Sequence, residues 1–594
     1  MTNTDIDYTD YTADESGFRG YLRDLADEQF PFPGYREYQD EVLYHTLWKL
    51  FIDDADNVII DAPTGVGKSP LLVAVGEVNS VLYENQAGIE SYFELDLSVL
   101  DGSSFYTTPQ KQLRDQLAAD ETLQDAIEML KSRRDYSCAA GGTNCADCPI
   151  RNGNEQSCMG TSGCTYWEAK EDAMSASQAV LTFAMLIIDN NLPMVSQEGE
   201  QMSFGNRDIV RVDEAHGLEG QIASLFAGFT VSERTLPDAV LSDFEHRVDW
   251  SADRFEDVEN ILADIARQCT IFVDDWEDNP SMRHEVEQCE TFLDRYNYCL
   301  DEISEDRPWV VNVDTIERTG RSNSKYIELQ PVDVDRFLEK MIWSRGNKRI
   351  LSSATIPYRN DVETWADRIG LPGETELIRC PMPFPVENRR IHTNTVVGSM
   401  SGDGCDEHWP EIISTIEEIH SHHTGENGII HTASYGRAKR LAQSLGHHKV
   451  FRHKQDMDAT EALEAFQESS ADILATPSMT EGVDLEGDMA RWQVLLKVPF
   501  RSPGDERVSY LLNERSAWDW YNQEAMLDCA QAVGRAVRGP DDAASFYVLD
   551  AKMEQLMHKV EFPDWYEEAV TDDAPDHWAH SSKAPWRETV TADA

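Results

Sequence analysis

The sequence predicts an α/β fold of two domains, each a mostly parallel sheet between helices. Three observations carry that expectation. The chain has 594 residues, more than one hydrophobic core supports, and a hydrophobic content of 41% is enough to build several. An apolar β run at Val58, Ile59 and Ile60 leads into a glycine-rich stretch and then a helix-like segment. Similar apolar runs ending in a turn recur in "DIVRVDEAHGLE", "RILSSATIP" and "ILATPSMTEGVDLEGD". Strand, loop and helix in that order form the unit of a parallel sheet, with its ligand beyond the strand ends.

The elements follow in chain order. After the first strand comes Ala62-Pro63-Thr64-Gly65-Val66-Gly67-Lys68-Ser69. The glycines let backbone N–H groups close around phosphates, Lys68 brings a charge to the β and γ phosphates, and Ser69 offers a hydroxyl to Mg²⁺. Ala62 stands where the general pattern has glycine. Next, a short strand ends in Asp213-Glu214-Ala215-His216, a DEAH box. Asp213 suits Mg²⁺ and Glu214 suits polarising an attacking water. An acidic helix start is the competing reading, weakened by the strand before it and the phosphate loop upstream. The run from Arg349 ends in Ser353-Ala354-Thr355, and the run from Ile473 ends in a loop with Gly482 and Asp484. Finally, "QAVGRAVRGPDD" offers Gln531 together with Arg535 and Arg538, three apart on one face of a predicted helix. Arginines so placed suit a γ-phosphate approached from a second domain. The set implies ATP with Mg²⁺.

Composition bounds the partners less tightly. There are 51 basic and 109 acidic residues, a net charge of −58. Taken alone, that argues against phosphate contacts to nucleic acid. The acidity is spread over the whole chain, as in the salt-adapted proteome of a halophilic archaeon, and a local basic channel is compatible with it. The acidic N-terminus has no apolar core, so no secretory signal is expected, and no apolar stretch is long enough for a membrane. A cytoplasmic protein is expected, where disulfides are rare. Five of the 11 cysteines, Cys138, Cys145, Cys148, Cys158 and Cys164, fall in one short segment. They read as a metal site, and spacing alone leaves zinc and iron–sulfur open. The remaining six show no ligand spacing.

Further stretches carry a family resemblance. "FPFPGYREYQDEVL" (Phe30–Leu43) has Arg36 and Gln39 in the pattern of an adenine-side motif, and "FYTTPQKQLRDQL" (Phe105–Leu117) resembles a strand-binding motif Ia. "PMPFPVENR", "GIIHTASYGRAKRLAQSL" and "MTEGVDLEGDMARWQVLLKVPF" complete the order. With the motifs above, residues 28–552 resemble the XPD/DinG-type DNA helicases of superfamily 2. Lys552 departs from the pattern, where relatives show an arginine. The resemblance implies two RecA-like motor domains and a 4Fe–4S cluster between motif Ia and the DEAH box. "LKSRRDYSC" makes Cys138 its first ligand and "GCTYWEAKEDA" makes Cys164 its last, with Cys148 and Cys158 favoured between them and Cys145 the rival.

The same resemblance organises the chain. The first motor is expected at 28–130, 173–225 and 326–375, interrupted by a cluster insert at 131–172 and a helical Arch-like insert at 226–325. The second motor takes 376–570, and acidic tails take 1–27 and 571–594, with disorder expected over 1–20 and beyond about 570. The implied activity is an ATP-driven helicase on single-stranded or forked DNA, moving 5′ to 3′ in repair or replication, as a monomer. Arg133, Arg134, Tyr136, Tyr166 and Trp167 are candidates to grip the strand, although each taken alone is more readily structural. The alternative is an ATP-dependent nucleic-acid-binding switch that does not unwind. A nuclease lacks support, since no acidic exonuclease segment precedes Phe30.

Overall fold

The computed structural model describes residues 11–109, 114–117, 120–138, 141, 144–145, 163–191, 203–223, 228–241, 244, 251–277, 279, 281–304, 306–316, 324–446, 448–477, 489–535, 537, 539–540 and 542–573. Strands β1 (Asn57–Asp61), β2 (Ser104–Thr108), β3 (Glu128–Met129), β4 (Gln178–Thr182) and β5 (Arg207–Asp213) come first. Then follow β6 (Phe229–Val231), β7 (Trp309–Ile316), β8 (Ser324–Pro331), β9 (Gly346–Ser353) and β10 (Thr375–Arg379). The last are β11 (Ile391–His392), β12 (Gly428–His431), β13 (Val450–Arg452), β14 (Ile473–Thr476), β15 (Trp492–Leu495), β16 (Ser545–Val548) and β17 (Val570–Thr571).

Fourteen of them form two seven-stranded sheets, ordered β10-β1-β9-β5-β2-β4-β3 and β13-β14-β12-β15-β16-β11-β17. Every pairing in both is parallel. Strands β1, β2, β4 and β5 are buried along their whole length. That is why β1 reads as a continuous Val/Ile run instead of an alternating one. The expected architecture of two RecA-like domains is the one observed. No helix among the described residues is long and apolar enough to cross a membrane.

Three expectations need correction. The helical insert was expected to end at 325 and the second motor to begin at 376, but β8 (Ser324–Pro331) belongs to the insert's sheet and β10 (Thr375–Arg379) pairs with β1 in the first motor's sheet. The stretch 1–27 was expected to be a tail, with disorder over 1–20, but a helix runs from Glu15 to Gln29, started by the Asp14 side chain accepting from Gly17 N. Phe18, Tyr21, Leu22 and Leu25 are buried in the core of the first motor with Leu43, Leu47 and Phe93. Their spacing is a helical stripe that the acidic composition hides. Residues 1–10 and 574–594 lie outside the described residues. The insert expected to be helical does hold helices Phe255–Trp276 and Arg283–Glu302, but also an antiparallel sheet, β6-β8-β7. "WVVNVDTI" in β7 is rich in β-branched residues, a strand signal that an abundance of acidic helix formers conceals. Val258, Leu262 and Ile265 close that insert's core against Phe292, Val311 and Ile327.

Candidate functional site

The site is built where β1 ends. Gly65 and Gly67 take φ of 83° and 89°, the left-handed region that favours glycine, and the helix Lys68–Glu84 starts at once. A Cβ on Gly67 would lie 2.6 Å from Gln39 Nε2. Gln39 Nε2 donates to the Gly67 carbonyl at 2.8 Å, and Gln39 Oε1 accepts from Arg36 N at 2.9 Å. The Arg36 guanidinium donates to the Gly65 carbonyl. Both residues thus brace the phosphate loop through its backbone. Lys68 Nζ donates to the Ala62 carbonyl at 3.3 Å.

Strand β5 brings the DEAH box alongside. Asp213 Oδ2 accepts from the Tyr106 hydroxyl at 2.7 Å, and Oδ1 from Glu214 N at 3.0 Å. Glu214 has φ of 52°, a left-handed conformation for a residue with a Cβ, and such strain gathers at functional sites. The two carboxyls part in character. Burial, then the Glu214 charge, push Asp213 up to about 6, against Lys68 and the Tyr106 hydrogen bond. Burial also acts to raise Glu214, but Lys68, His216 and Arg535 together hold it well below the usual carboxylate range. Glu214 Oε2 is buried without a hydrogen bond, with His216 Nδ1 at 3.3 Å. An anionic oxygen with an open lone pair suits an attacking water. Ser69 and Asp213 supply hard oxygen donors beside the phosphate loop, the donor set Mg²⁺ takes.

The second motor closes the cleft. Thr64 Oγ1, inside the phosphate loop, donates to the Gly534 carbonyl. Gln531 Nε2 donates to Thr355 Oγ1 at 2.7 Å, Thr355 N donates to Ser353 Oγ at 3.2 Å, and His216 Nδ1 lies 2.8 Å from that same Ser353 Oγ. A polar chain therefore runs from Glu214 through His216, Ser353 and Thr355 to Gln531. Arg359 forms a second tie. Its Nε donates to Asp61 Oδ2 at 2.7 Å while its Nη1 reaches Asp564 at 3.0 Å and the Phe562 carbonyl at 3.1 Å.

The helix expected to carry both arginines is shorter than the motif suggests. It runs from Trp518 to Val533 and stops at Gly534, so Arg535 sits in the following turn. That turn frees the Gly534 carbonyl for Thr64, a contact an uninterrupted helix would withhold. Arg535 is half-buried and close enough to Glu214 to help hold its carboxyl ionised. Arg538, Gly482 and Asp484 lie outside the described residues. Asp550 is buried and accepts from the N–H groups of Met400, Val498 and Lys552, while Lys552 Nζ turns to Gln555 at 2.9 Å. Sequence reasoning missed Tyr106 and Arg359, and the contact that Thr64 of the phosphate loop makes with Gly534, because these partners are distant in the chain.

The cysteine segment is described only in part. Thr165 Oγ1 donates to the Ser137 carbonyl at 3.0 Å, tying the residue after Cys164 to the residue before Cys138. Both thiols are half-buried. Cys145 is buried, its N–H donates to the Tyr136 carbonyl at 2.9 Å, and the Arg133 guanidinium lies 3.9 Å from its sulfur. Cys148 and Cys158 lie outside the described residues. The two outer thiols fit a thiolate-held metal group, but no three metal-binding side chains gather among the described residues. Tyr166 and Trp167 are buried under the Arg133 guanidinium, 4.1 and 5.6 Å from their ring centres, so they pack the segment and offer no open stacking face. Arg134 is exposed.

A phosphate loop on one parallel sheet, faced by an arginine from a second, defines a two-domain nucleotide-binding protein with a composite cleft. The comparisons agree. Residues 416–569 match the helicase C-terminal domain family. The ATP-dependent DNA helicase YoaA of Haemophilus influenzae is 21% identical over 591 residues, covering 84% of this chain and 89% of that protein. The ATP-dependent DNA helicase DinG of Photobacterium profundum is 24% identical over 267 residues, covering 40% of this chain. The chain spans 37% of the length of that DinG and 27% of the 3′-5′ exonuclease DinG of Bacillus subtilis. Among solved structures, S. tokodaii Xpd4 superposes with a TM-score of 0.54 at 12% identity, covering 91% of this chain and 100% of that one. In sequence and in fold the chain is thus similar to ATP-dependent DNA helicases of the DinG and XPD type.

Proposed function

We propose that the protein is an ATP-driven helicase that translocates 5′ to 3′ on single-stranded DNA and opens forked duplexes, as a cytoplasmic monomer in repair or replication. The observation that carries this reading is the seating of Arg535 from the second motor beside Glu214 and the phosphate loop of the first. In the site so formed, Lys68 and the loop N–H groups hold the phosphates, with Ser69 and Asp213 as ligands for Mg²⁺. Bound Mg²⁺ would neutralise phosphate charge. Glu214 accepts the proton of the attacking water, and Arg535, with Arg538 expected beside it, stabilises charge on the γ-phosphate. Gly482 and Asp484 belong to the same cleft in this reading. Because each motor contributes, hydrolysis loosens their closure, and alternate closing and opening moves the protein along the strand.

The cysteine segment is assigned a 4Fe–4S cluster held by Cys138, Cys148, Cys158 and Cys164, with Cys145 the alternative for a middle position. The support is the family pattern and the tie between the two outer cysteines. When bound, the cluster would supply folding energy to the segment that carries the cysteines. The test uses forked duplexes with opposite single-stranded tails, ATP and high salt. Strand separation on the 5′-tailed fork alone supports the helicase. ATP hydrolysis stimulated by DNA without any separation leaves the remodelling switch. Iron and acid-labile sulfide in equal amounts support the cluster, and one zinc per chain in a colourless preparation overturns it.

A further inference from the structure

Tyr106 lies between the two oxygen donors assigned to the cation. It lies in the middle of β2, is fully buried, and donates its hydroxyl proton to Asp213 Oδ2 at 2.7 Å. The Ser69 hydroxyl is within hydrogen-bonding reach of the same phenol oxygen. The phenol ring is fixed by the sheet, since β2 pairs with β5 and places Tyr106 opposite Arg211, two residues before Asp213. The Arg211 guanidinium lies 5.6 Å from the ring centre. With Oδ1 on the Glu214 N–H and Oδ2 on the phenol, the Asp213 carboxylate keeps one orientation, and partners of that kind set the geometry of metal ligands.

We propose that Tyr106 is a positioning residue for the divalent cation, holding Asp213 and Ser69 at the separation and orientation the metal needs. The proposal rests on the reading of Ser69 and Asp213 as the magnesium ligands. The phenol keeps one lone pair of Asp213 occupied and leaves the others for the metal. Without it, Asp213 Oδ2 loses its partner and only the Glu214 N–H on Oδ1 still orients the carboxylate, so the cation must do more of the ordering of its donors on binding.

The test is Tyr106→Phe, which keeps the ring and removes only the hydroxyl. Mn²⁺ binding is measured by electron paramagnetic resonance with adenylyl imidodiphosphate present, and nucleotide binding is measured separately in EDTA. Mn²⁺ affinity should fall about 10- to 100-fold, the usual cost of losing a ligand's outer partner. Nucleotide affinity in EDTA should stay within about twofold of wild type, because Lys68 and the loop backbone are untouched. Unchanged Mn²⁺ affinity in a folded variant would overturn the proposal, as would an equal loss of nucleotide affinity in EDTA. If wild-type protein bound nucleotide but no Mn²⁺, the ligand assignment itself would fail, which is a different result.

Discussion

The central strands β1 and β12 each lead into a helix, and only one of the two turns is built for phosphates. After β1 come two left-handed glycines and a lysine, with the helix starting at Lys68. After β12 come Thr432, Ala433 and Ser434, and Ser434 accepts from Arg437 N to cap its own helix, Tyr435–Leu445. The same backbone unit therefore leaves its N–H groups for a ligand in one motor and uses them internally in the other. The second motor has to contribute by reaching across, through Gly534, Gln531 and Arg535. The difference teaches that the repeated fold is a scaffold and that the chemistry lies in which end groups stay unpaired.

The largest effect should come from breaking the loop side. Lys68→Ala should reduce ATP hydrolysis below detection in a protein that melts normally, because the β/γ charge is lost; steady-state phosphate release checks it. Glu214→Gln should stop turnover while ATP still binds, separating the water-activating carboxylate from the binding loop. Normal turnover in that variant would remove Glu214 from the mechanism.

Breaking the tie between the motors should cost stability first. Asp61 is buried, and burial raises its carboxyl against the opposing pull of Arg359. Arg359→Ala would leave that charge without its partner, a loss of about 3–5 kcal/mol. Denaturant unfolding followed by intrinsic fluorescence should show it, and a shift under about 1 kcal/mol would mean that water replaces the arginine.

The smallest effect sharpens the second motor alone. His431 is buried, with Nε2 2.8 Å from Gln493 Oε1, and burial brings its imidazole down to about 4, Arg535 adding to the fall. A folded value below the unfolded 6.5 means full stability above pH 6.5 and loss as the pH falls toward about 4. The window corresponds to about 3 kcal/mol. Wild type should therefore lose that much more than His431→Gln between pH 7 and 4, and parallel profiles would contradict the assignment.

How legible all this was depends on chain distance. The phosphate loop and the DEAH box are local patterns, because a turn that receives phosphates needs glycine, lysine and a hydroxyl within eight consecutive positions, here Ala62 to Ser69. The ties that make the cleft composite join Thr64 to Gly534, Thr355 to Gln531, and Arg359 to Asp61 and Asp564. No window along a single chain contains them. Tyr106 was hidden in another way, since it reads as one more apolar residue of a buried strand. The helix Glu15–Gln29 was lost to composition, its stripe of Phe18, Tyr21, Leu22 and Leu25 set among acidic neighbours. Arg535 was expected on a helix and lies in the turn after it, because a Gly534 that ends the helix and one that merely interrupts it look alike in sequence.

The central claim is that the second motor completes the first motor's site, and Arg535→Ala tests it most directly. Single-turnover and steady-state hydrolysis are measured beside nucleotide affinity. The account predicts that kcat falls about 10³-fold or more, as for other arginines supplied across an interface, while nucleotide Kd changes by no more than about threefold. An unchanged kcat in the folded variant would contradict it, and would leave the first motor hydrolysing ATP without help from the second.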